Sequence, residues 1–427
     1  MTNTVKPVNV GVVGAGTVGG GTIRILATNA DRISERAVPV KVRRIADRRV
    51  EVAQALCDEL GLDTIVSDDW NDLITDPEID IVVELVGGKG LARTIVATAL
   101  KSGKCVVTAN KDLIAAYGDE LFAIAAEHGT ELCFEASVAG GIPIIQVLRE
   151  SLAGNNFVKI AGILNGTTNY ILTKMSEDGL DFATALKMAQ ELGYAEADPT
   201  NDVEGFDAAR KVAIMASLAY GCFVSDDKVV VEGISKITAE DIAAAKELGC
   251  AIKLLGVARL AEGKLTAQVY PALLDASHPL AAVRDSYNAV FVHGDAVEKL
   301  MLQGRGAGSL PTGSAVVGDI VSAARNIRLG CVGRVACRFD KQLSVLTADA
   351  EQGCYFVRLQ GADAAVREAL VAAGIAVAEL RAAANGELLL LTGDMPKTEL
   401  AAALTALIEK QAICGCGTLI RIEKDEN

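Results

Sequence analysis

The sequence predicts an α/β protein: a doubly wound parallel sheet, then a second α+β unit, then a small βαββαβ unit at the C-terminal end. Three observations carry this. A length of 427 residues corresponds to two to four domains at roughly 100 to 200 residues each. From Val8 to about Phe134 short continuous apolar runs alternate with helical segments, the pattern of strands buried on both faces of a parallel sheet. A glycine cluster, Gly14-Ala15-Gly16-Thr17-Val18-Gly19, stands where the first run gives way to the first helix.

In chain order, strands are expected at Val8 to Val13, Val40 to Ala46, Asp80 to Leu85, Cys105 to Thr108 and Glu131 to Phe134. Helices are expected between them at Thr17 to Thr28, Val50 to Leu60, Gly90 to Ser102 and Leu113 to His128. Together they describe a Rossmann-type unit over residues 1–137. A mixed second unit is expected over 138–304, with helices at Leu180 to Leu192 and Glu204 to Tyr220 and strands at Ile252 to Ala258 and Lys264 to Tyr270. The glycine-dense loop Gln303 to Thr312 runs into a helical pattern from Gly313 to Asn326 and either lets backbone approach a ligand closely or serves as an ordinary connector. After a polar linker, Arg338 to Glu351, residues 351–427 read as strand Tyr355 to Leu359, helix Ala362 to Ala373, strands Ile375 to Leu380 and Glu387 to Thr392, helix Lys397 to Lys410 and strand Thr418 to Ile422. That order is ferredoxin-like.

The cluster of Gly14, Gly16, Thr17, Val18 and Gly19 follows a strand and opens a helix, the setting in which free backbone N–H groups and the helix dipole hold a pyrophosphate. Asp47, at the end of the second strand, can accept ribose hydroxyls, though it lies beyond the usual spacing of about 20 residues. Arg44, Arg48 and Arg49 surround it, and arginines there suit a 2′-phosphate. The choice between NAD and NADP stays open, leaning toward NADP.

The densest chemical signal is Ala189 to Lys211. Glu196, Asp198, Asp202, Glu204 and Asp207 fall within twelve positions and a lysine follows. On a helix, Asp207 and Lys211 share a face at i,i+4. The continuation Val212 to Tyr220 is apolar, so the helix packs inside and carries Lys211 into a cleft.

This stretch resembles the homoserine dehydrogenases, as do Thr108-Ala-Asn-Lys111, Glu135 to Pro143 and Asn165-Gly-Thr-Thr-Asn-Tyr170. The tail resembles an ACT domain, as in the monofunctional form of that enzyme. The resemblance implies NAD(P)H-dependent interconversion of L-aspartate 4-semialdehyde and L-homoserine, in threonine, methionine and isoleucine biosynthesis. By the same resemblance, Lys211 is the proton donor, Asp207 positions it and helps bind substrate, Glu196 holds the substrate amino group, and Asp202 is a further substrate-side carboxylate. Thr108 and Lys111 face the cofactor, and Gly306 lies in the loop that returns to it. A structural sodium ion on the backbone carbonyls of Glu135, Val138, Gly140 and Ile142, a homodimer or homotetramer, and threonine as effector are implied likewise. The segment Gly361 to Val366 lacks the acidic residue, spacer and Pro-Gly common in ACT domains, which points to a module serving assembly or binding an effector differently.

Composition narrows the alternatives. With 41 Lys+Arg against 55 Asp+Glu the net charge is −14, which opposes a phosphate backbone, so no nucleic-acid partner is expected. No uncharged run approaches the roughly 18 to 20 residues of a membrane helix, and the first residues carry no signal-peptide core, so the expected location is the cytoplasm. The ten cysteines are scattered and read as reduced core residues; Cys414 and Cys416 lack a metal-site spacing. Two competing functions remain: a semialdehyde dehydrogenase with Cys133 as nucleophile, and an inactive amino-acid sensor.

Overall fold

The computed structural model describes residues 6–334, 337–346, 352–361 and 366–424. The first unit builds a parallel sheet from β1 (Val8–Val13), β2 (Val40–Ala46), β3 (Ile65–Ser67), β4 (Ile81–Glu84), β5 (Cys105–Thr108) and β6 (Leu132–Cys133). Its order is β3-β2-β1-β4-β5-β6, all parallel, and the order reverses between β1 and β4. A ligand cleft is expected outside the carboxyl ends at that reversal. Helices Thr17–Thr28, Val50–Leu60, Gly90–Lys101 and Lys111–His128 cover the two faces. The strand β3 is an addition to the sequence reading: with three residues, none of them buried, it carries no apolar run to detect.

The long helix Ser309–Leu329 returns to this unit. Val316, Val317, Ile320, Ala323 and Ala324 join Val8, Val10, Ile23 and Leu26 in one buried cluster, and Ser309 Oγ donates to Thr17 O at 2.7 Å.

The second unit is a mixed sheet. Its path runs Glu298–Arg305, Tyr287–Gly294, Phe157–Ile163, Cys250–Ala261, Lys264–Asp275. The last two strands are longer than expected and form one hairpin, closed by Glu262 and Gly263, both at positive φ (50° and 74°). Such a two-residue loop matches the twist of its strands. Helices Gly166–Asp178, Phe182–Glu191 and Phe206–Tyr220 lie nearby. Two helices are shorter than predicted for local reasons. Asp181 caps the second by accepting Thr184 N at 2.7 Å, and Gly205 at φ 85° breaks the pattern before Phe206, leaving a short separate turn at Thr200–Val203.

The C-terminal unit shows strands Gln352–Gln360, Val377–Ala382, Leu388–Thr392 and Ile420–Ile422, with helices Val366–Ala372 and Lys397–Glu409. The expected start of its first helix, 362–365, lies outside the described residues, as does 347–351 of the expected linker. The expectation that this unit stands on its own is corrected. Ile420–Ile422 pairs with Gln352–Gln360 on one side and, in parallel, with Ala272 and Leu273 on the other, so both units share one continuous sheet. Part of the supposed linker, Ser344–Leu346, is also a strand paired with Lys264–Asp275.

The period-two alternation of strand Gln352–Gln360 explains this. Tyr355, Val357 and Leu359 face the unit's own helices, while Phe356 joins the main core. Arg358, on the same face as Phe356, reaches Asp241 (Nε to Oδ1, 2.7 Å) and Glu387 (2.6 Å); Arg358 is 4% exposed and Asp241 0%. Asp241 also completes the capping box with Thr238 on helix Ala239–Glu247. Further along, Glu423 is buried against Lys159, Arg259 and Tyr270 of the second unit. Among the described residues no helix is long and apolar enough to cross a membrane.

Arg358→Met removes one partner of a buried pair and leaves Asp241 uncompensated. It is expected to lower unfolding free energy by about 3 to 5 kcal/mol, read from urea denaturation; a loss under 1 kcal/mol would show the contact to be incidental.

Candidate active site

Two adjoining clefts open at the carboxyl ends of the parallel strands. The first, ≈ 760 Å³, is lined by Gly14, Gly16, Asp47, Arg48, Arg49, Trp70, Val86 and Gly87. Gly14 sits at φ 96°, and a Cβ on Gly19 would come within 1.9 Å of Gly14 O, so only glycine allows the helix to start this close to the loop. Helix Thr17–Thr28 has no acidic residue in its first turn and no side-chain cap, leaving its N–H groups open to an anion.

Asp47 is partly occupied. Its carboxylate accepts Ala15 N at 2.7 Å and Arg49 N at 2.8 Å. Burial opposes its charge, but these amides and the nearby Arg49 and Arg48 outweigh that and hold it below the usual aspartate range. Arg48 and Arg49 are exposed and face the cleft. Arg44 does not join them: it points toward Asp76 (2.7 Å), beside Arg43. Thr108 and Glu84 form a buried support under the loop. The Thr108 hydroxyl donates to Glu84 at 2.7 Å, and Glu84 accepts Val86 N and Gly87 N. The hydroxyl of Thr108 is thus committed away from the cleft, and Glu84 is a support the sequence reading did not single out.

The second cleft, ≈ 820 Å³, collects Val18, Lys111, Gly140, Asn165, Glu196, Asp198, Asp202, Asp207, Lys211 and Gly306. At its floor Asp207, 8% exposed, lies between two lysines. Its Oδ2 accepts Lys211 Nζ at 2.6 Å and its Oδ1 meets Lys111 Nζ at 3.2 Å. Burial would raise the Asp207 pKa, but the Lys211 and Lys111 charges and the bonds from Lys211 and Asn165 drive it far below the normal range. Burial likewise opposes the charge on Lys111, and Asp207 and Asp112 more than offset it, so its pKa is raised.

Lys211 also donates to Leu164 O at 2.6 Å. An ammonium has three hydrogens, so two fixed bonds leave one. Among the described residues the third Lys211 N–H meets no protein acceptor. Lys111 owes its place to Asn110, which caps helix Lys111–His128 by accepting Leu113 N at 3.0 Å.

Glu196 lies exposed on the loop at the mouth, and its backbone carbonyl accepts Gln190 Nε2 at 3.0 Å. Asp202 is deeper, bonded to Asn165 Nδ2 at 2.7 Å. Burial and the Asp207 charge raise its pKa against the bond from Asn165. Gly306 packs on Asn288, whose side chain a Cβ would strike at 2.1 Å. Segment 138–142 turns through Ala139 and Gly140, both at φ 53°. The Glu135 carboxylate is spent on Ile145 N and Gln146 N, while Glu135 O accepts Val138 N at 3.4 Å and Ile142 O accepts Ile144 N at 2.8 Å. Neutral backbone carbonyls are oxygen ligands of the type that suits an alkali cation and not a transition metal. Among the described residues no three His, Cys, Asp or Glu are grouped to hold a metal.

Cys133 lies elsewhere, in a third cavity with Glu131, Arg149 and Asp319. Burial and the Asp319 and Glu131 carboxylates push its thiol well above the ordinary value, which removes the thiolate a nucleophile requires. Burial raises Asp319 itself to about 8.

A doubly wound parallel sheet, a glycine loop at its reversal and a lysine–carboxylate pair in the adjoining cleft fit a nicotinamide-dinucleotide-dependent oxidoreductase. Comparison with known proteins specifies which. The homoserine dehydrogenase NAD-binding domain matches residues 14–135 and the homoserine dehydrogenase domain residues 143–321. Homoserine dehydrogenase of Mycobacterium bovis is 41% identical over 438 residues, covering 98% of each chain. The crystal structure of the enzyme from Thiobacillus denitrificans superposes with a TM-score of 0.91 at 42% identity, over 98% of this chain and 99% of that one. A hyperthermophilic archaeal homoserine dehydrogenase in complex with NADPH has a TM-score of 0.62 at 30% identity, over 74% of this chain and 98% of its own. The chain belongs to the homoserine dehydrogenases, enzymes that reversibly reduce L-aspartate 4-semialdehyde to L-homoserine with NAD(P)H.

Because Asp207 is held ionised and Asp202 is the carboxylate pushed upward, the acid limb of the pH profile is expected to report Asp202. Activity falls with falling pH as Asp202 takes up its proton, from a higher pH than an ordinary aspartate would. In Asp202→Asn that limb should vanish from kcat/KM; an unaltered limb would reassign it.

Proposed function

We propose that Lys211 protonates the developing alkoxide during reduction of the semialdehyde and removes the proton in the reverse direction. The single observation that carries this is the Lys111–Asp207–Lys211 chain, its last two members buried, with one Lys211 N–H uncommitted among the described residues. The bound dinucleotide supplies the hydride. Asp207 holds Lys211 charged and oriented, and Lys111 lies on the nicotinamide side. Glu196 and Asp202 offer carboxylates to the substrate's ammonium group, the pairing an α-amino acid requires. The open N–H groups at Gly16, Thr17 and Val18 suit the pyrophosphate, with Gly14 and Gly19 giving the approach and Gly306 bounding the far side, while Thr108 acts only from beneath, by holding Glu84 under the loop.

The division of labour follows. Residues 1–137 with 305–340 hold the cofactor, 138–304 hold the substrate and form the dimer, and 351–427 are an ACT-like module. An alkali ion such as sodium on the carbonyls of Glu135, Val138, Gly140 and Ile142 would brace the turn beside Gly306 and take no part in proton transfer. The enzyme works in the cytoplasm as a homodimer or homotetramer, which light scattering distinguishes. The module serves assembly and not threonine inhibition, a reading supported by the missing Pro-Gly in the segment Gly361 to Val366.

Two measurements test this. Lys211→Ala should lower kcat for aspartate semialdehyde by about 10²- to 10⁴-fold with NADPH affinity within about twofold; wild-type turnover would refute the assignment. Exposed Arg48 and Arg49 favour a 2′-phosphate, so NADPH should outperform NADH, and Arg48→Ala should raise KM for NADPH by about tenfold while sparing NADH. Adding threonine to the same assays should change neither; strong inhibition would restore it as effector. The full chain is required, because truncation near residue 350 strips a strand from the shared sheet.

A further inference from the structure

Asn165 makes four side-chain hydrogen bonds. It follows strand Phe157–Ile163 and caps helix Gly166–Asp178, its Oδ1 accepting Thr168 N at 2.9 Å and Thr168 Oγ1 at 3.1 Å. Both hydrogens of its Nδ2 are used, one on Asp202 Oδ1 at 2.7 Å and one on Asp207 Oδ2 at 2.9 Å. The side chain is 5% exposed and its full donor and acceptor capacity is taken up.

Capping alone does not require asparagine, since aspartate and serine cap a helix about equally well. Either would satisfy Thr168 N. Neither supplies two N–H donors to the carboxylates; aspartate would set a third carboxylate against Asp202 and Asp207. The helix end is therefore not what demands this residue type. The two carboxylates are.

Asp207 Oδ2 is the same oxygen that accepts Lys211 Nζ. The preceding residue, Leu164, supplies the carbonyl that takes the second Lys211 hydrogen. Two consecutive residues thus fix both members of the pair, one through its side chain and the other through its backbone.

We propose that Asn165 is a positioning residue: its carboxamide ties the substrate-side Asp202 to the Lys211–Asp207 pair, holds the two carboxylates side by side, and so aims the third Lys211 N–H into the cleft. This rests on the assignment of Lys211 as proton donor. A neutral donor bonded to a carboxylate favours its charged form. Removing it leaves two neighbouring carboxylates to repel one another, and Asp202, already raised by burial, takes the proton.

The test compares Asn165→Ser and Asn165→Asp in the full chain, each able to keep the cap. Asn165→Ser is expected to lower kcat by about 10- to 100-fold and to move the acid limb of its pH profile upward. Asn165→Asp should lose more than 100-fold. In both, NADPH affinity should stay within about twofold and unfolding should remain a single cooperative transition. If both variants keep wild-type kcat and acid limb, the proposal is overturned. It is equally overturned if activity falls only together with NADPH binding and cooperative unfolding, because the residue is then purely structural. Lys211→Ala separates the two readings: an active Lys211→Ala refutes the proton donor, whereas an inactive one with wild-type Asn165 variants refutes only the positioning role.

Discussion

The site depends on one buried carboxylate. Asp207 gathers Lys111 from helix Lys111–His128, Lys211 from its own helix one turn on, and Asn165 from the end of strand Phe157–Ile163. An unpaired lysine in such a place would shed its proton, and an unpaired aspartate would take one up. Set together, each keeps the other charged. The arrangement also ties the first unit to the second, because Lys111 belongs to the helix Lys111–His128 of the parallel-sheet unit and Asp207 to the helix Phe206–Tyr220. The same three charges therefore fix the spacing of the two elements across the cleft.

Much of this was legible in the residues, for identifiable reasons. The strands Val8–Val13 and Cys105–Thr108 are continuous apolar runs because helices cover both faces, and the glycine loop must fall between strand and helix. Asp207 and Lys211 were readable as a pair because four residues span one helical turn and the rest of that helix is apolar. Asn165 carried an available signal, an N-cap residue before a helix, but its second task toward Asp202 and Asp207 depends on contacts 37 and 42 positions away. Arg44 misled because spacing placed it near Asp47, whereas the register shift that skips Arg43 in the pairing with the first strand lets Arg43 and Arg44 both reach Asp76. The full length of the hairpin Cys250–Ala261 with Lys264–Asp275 was partly missed because strands buried on both faces lose the alternation that would reveal them.

The C-terminal unit shows a different limit. Its βαββαβ order is a local property and could be read. Its fusion to the rest rests on a two-residue parallel pairing at Ala272 and Leu273 and on buried charges, Arg358 with Asp241 and Glu423 with Lys159 and Arg259. No local pattern announces a partner so distant. An arginine inside an otherwise apolar strand was the visible anomaly, since such a residue is buried only when paired.

That shared sheet has a consequence for how the protein is made. Lys159 and Glu423 are separated by 264 positions, and strand Lys264–Asp275 meets its neighbour Ile420–Ile422 only after about 150 further residues have been added. Until those later residues are added, the strand Lys264–Asp275 has no Ile420–Ile422 to pair with, and Lys159 and Arg259 have no Glu423 carboxylate to meet. The sheet that joins the two units can therefore close only after residue 423 has been added.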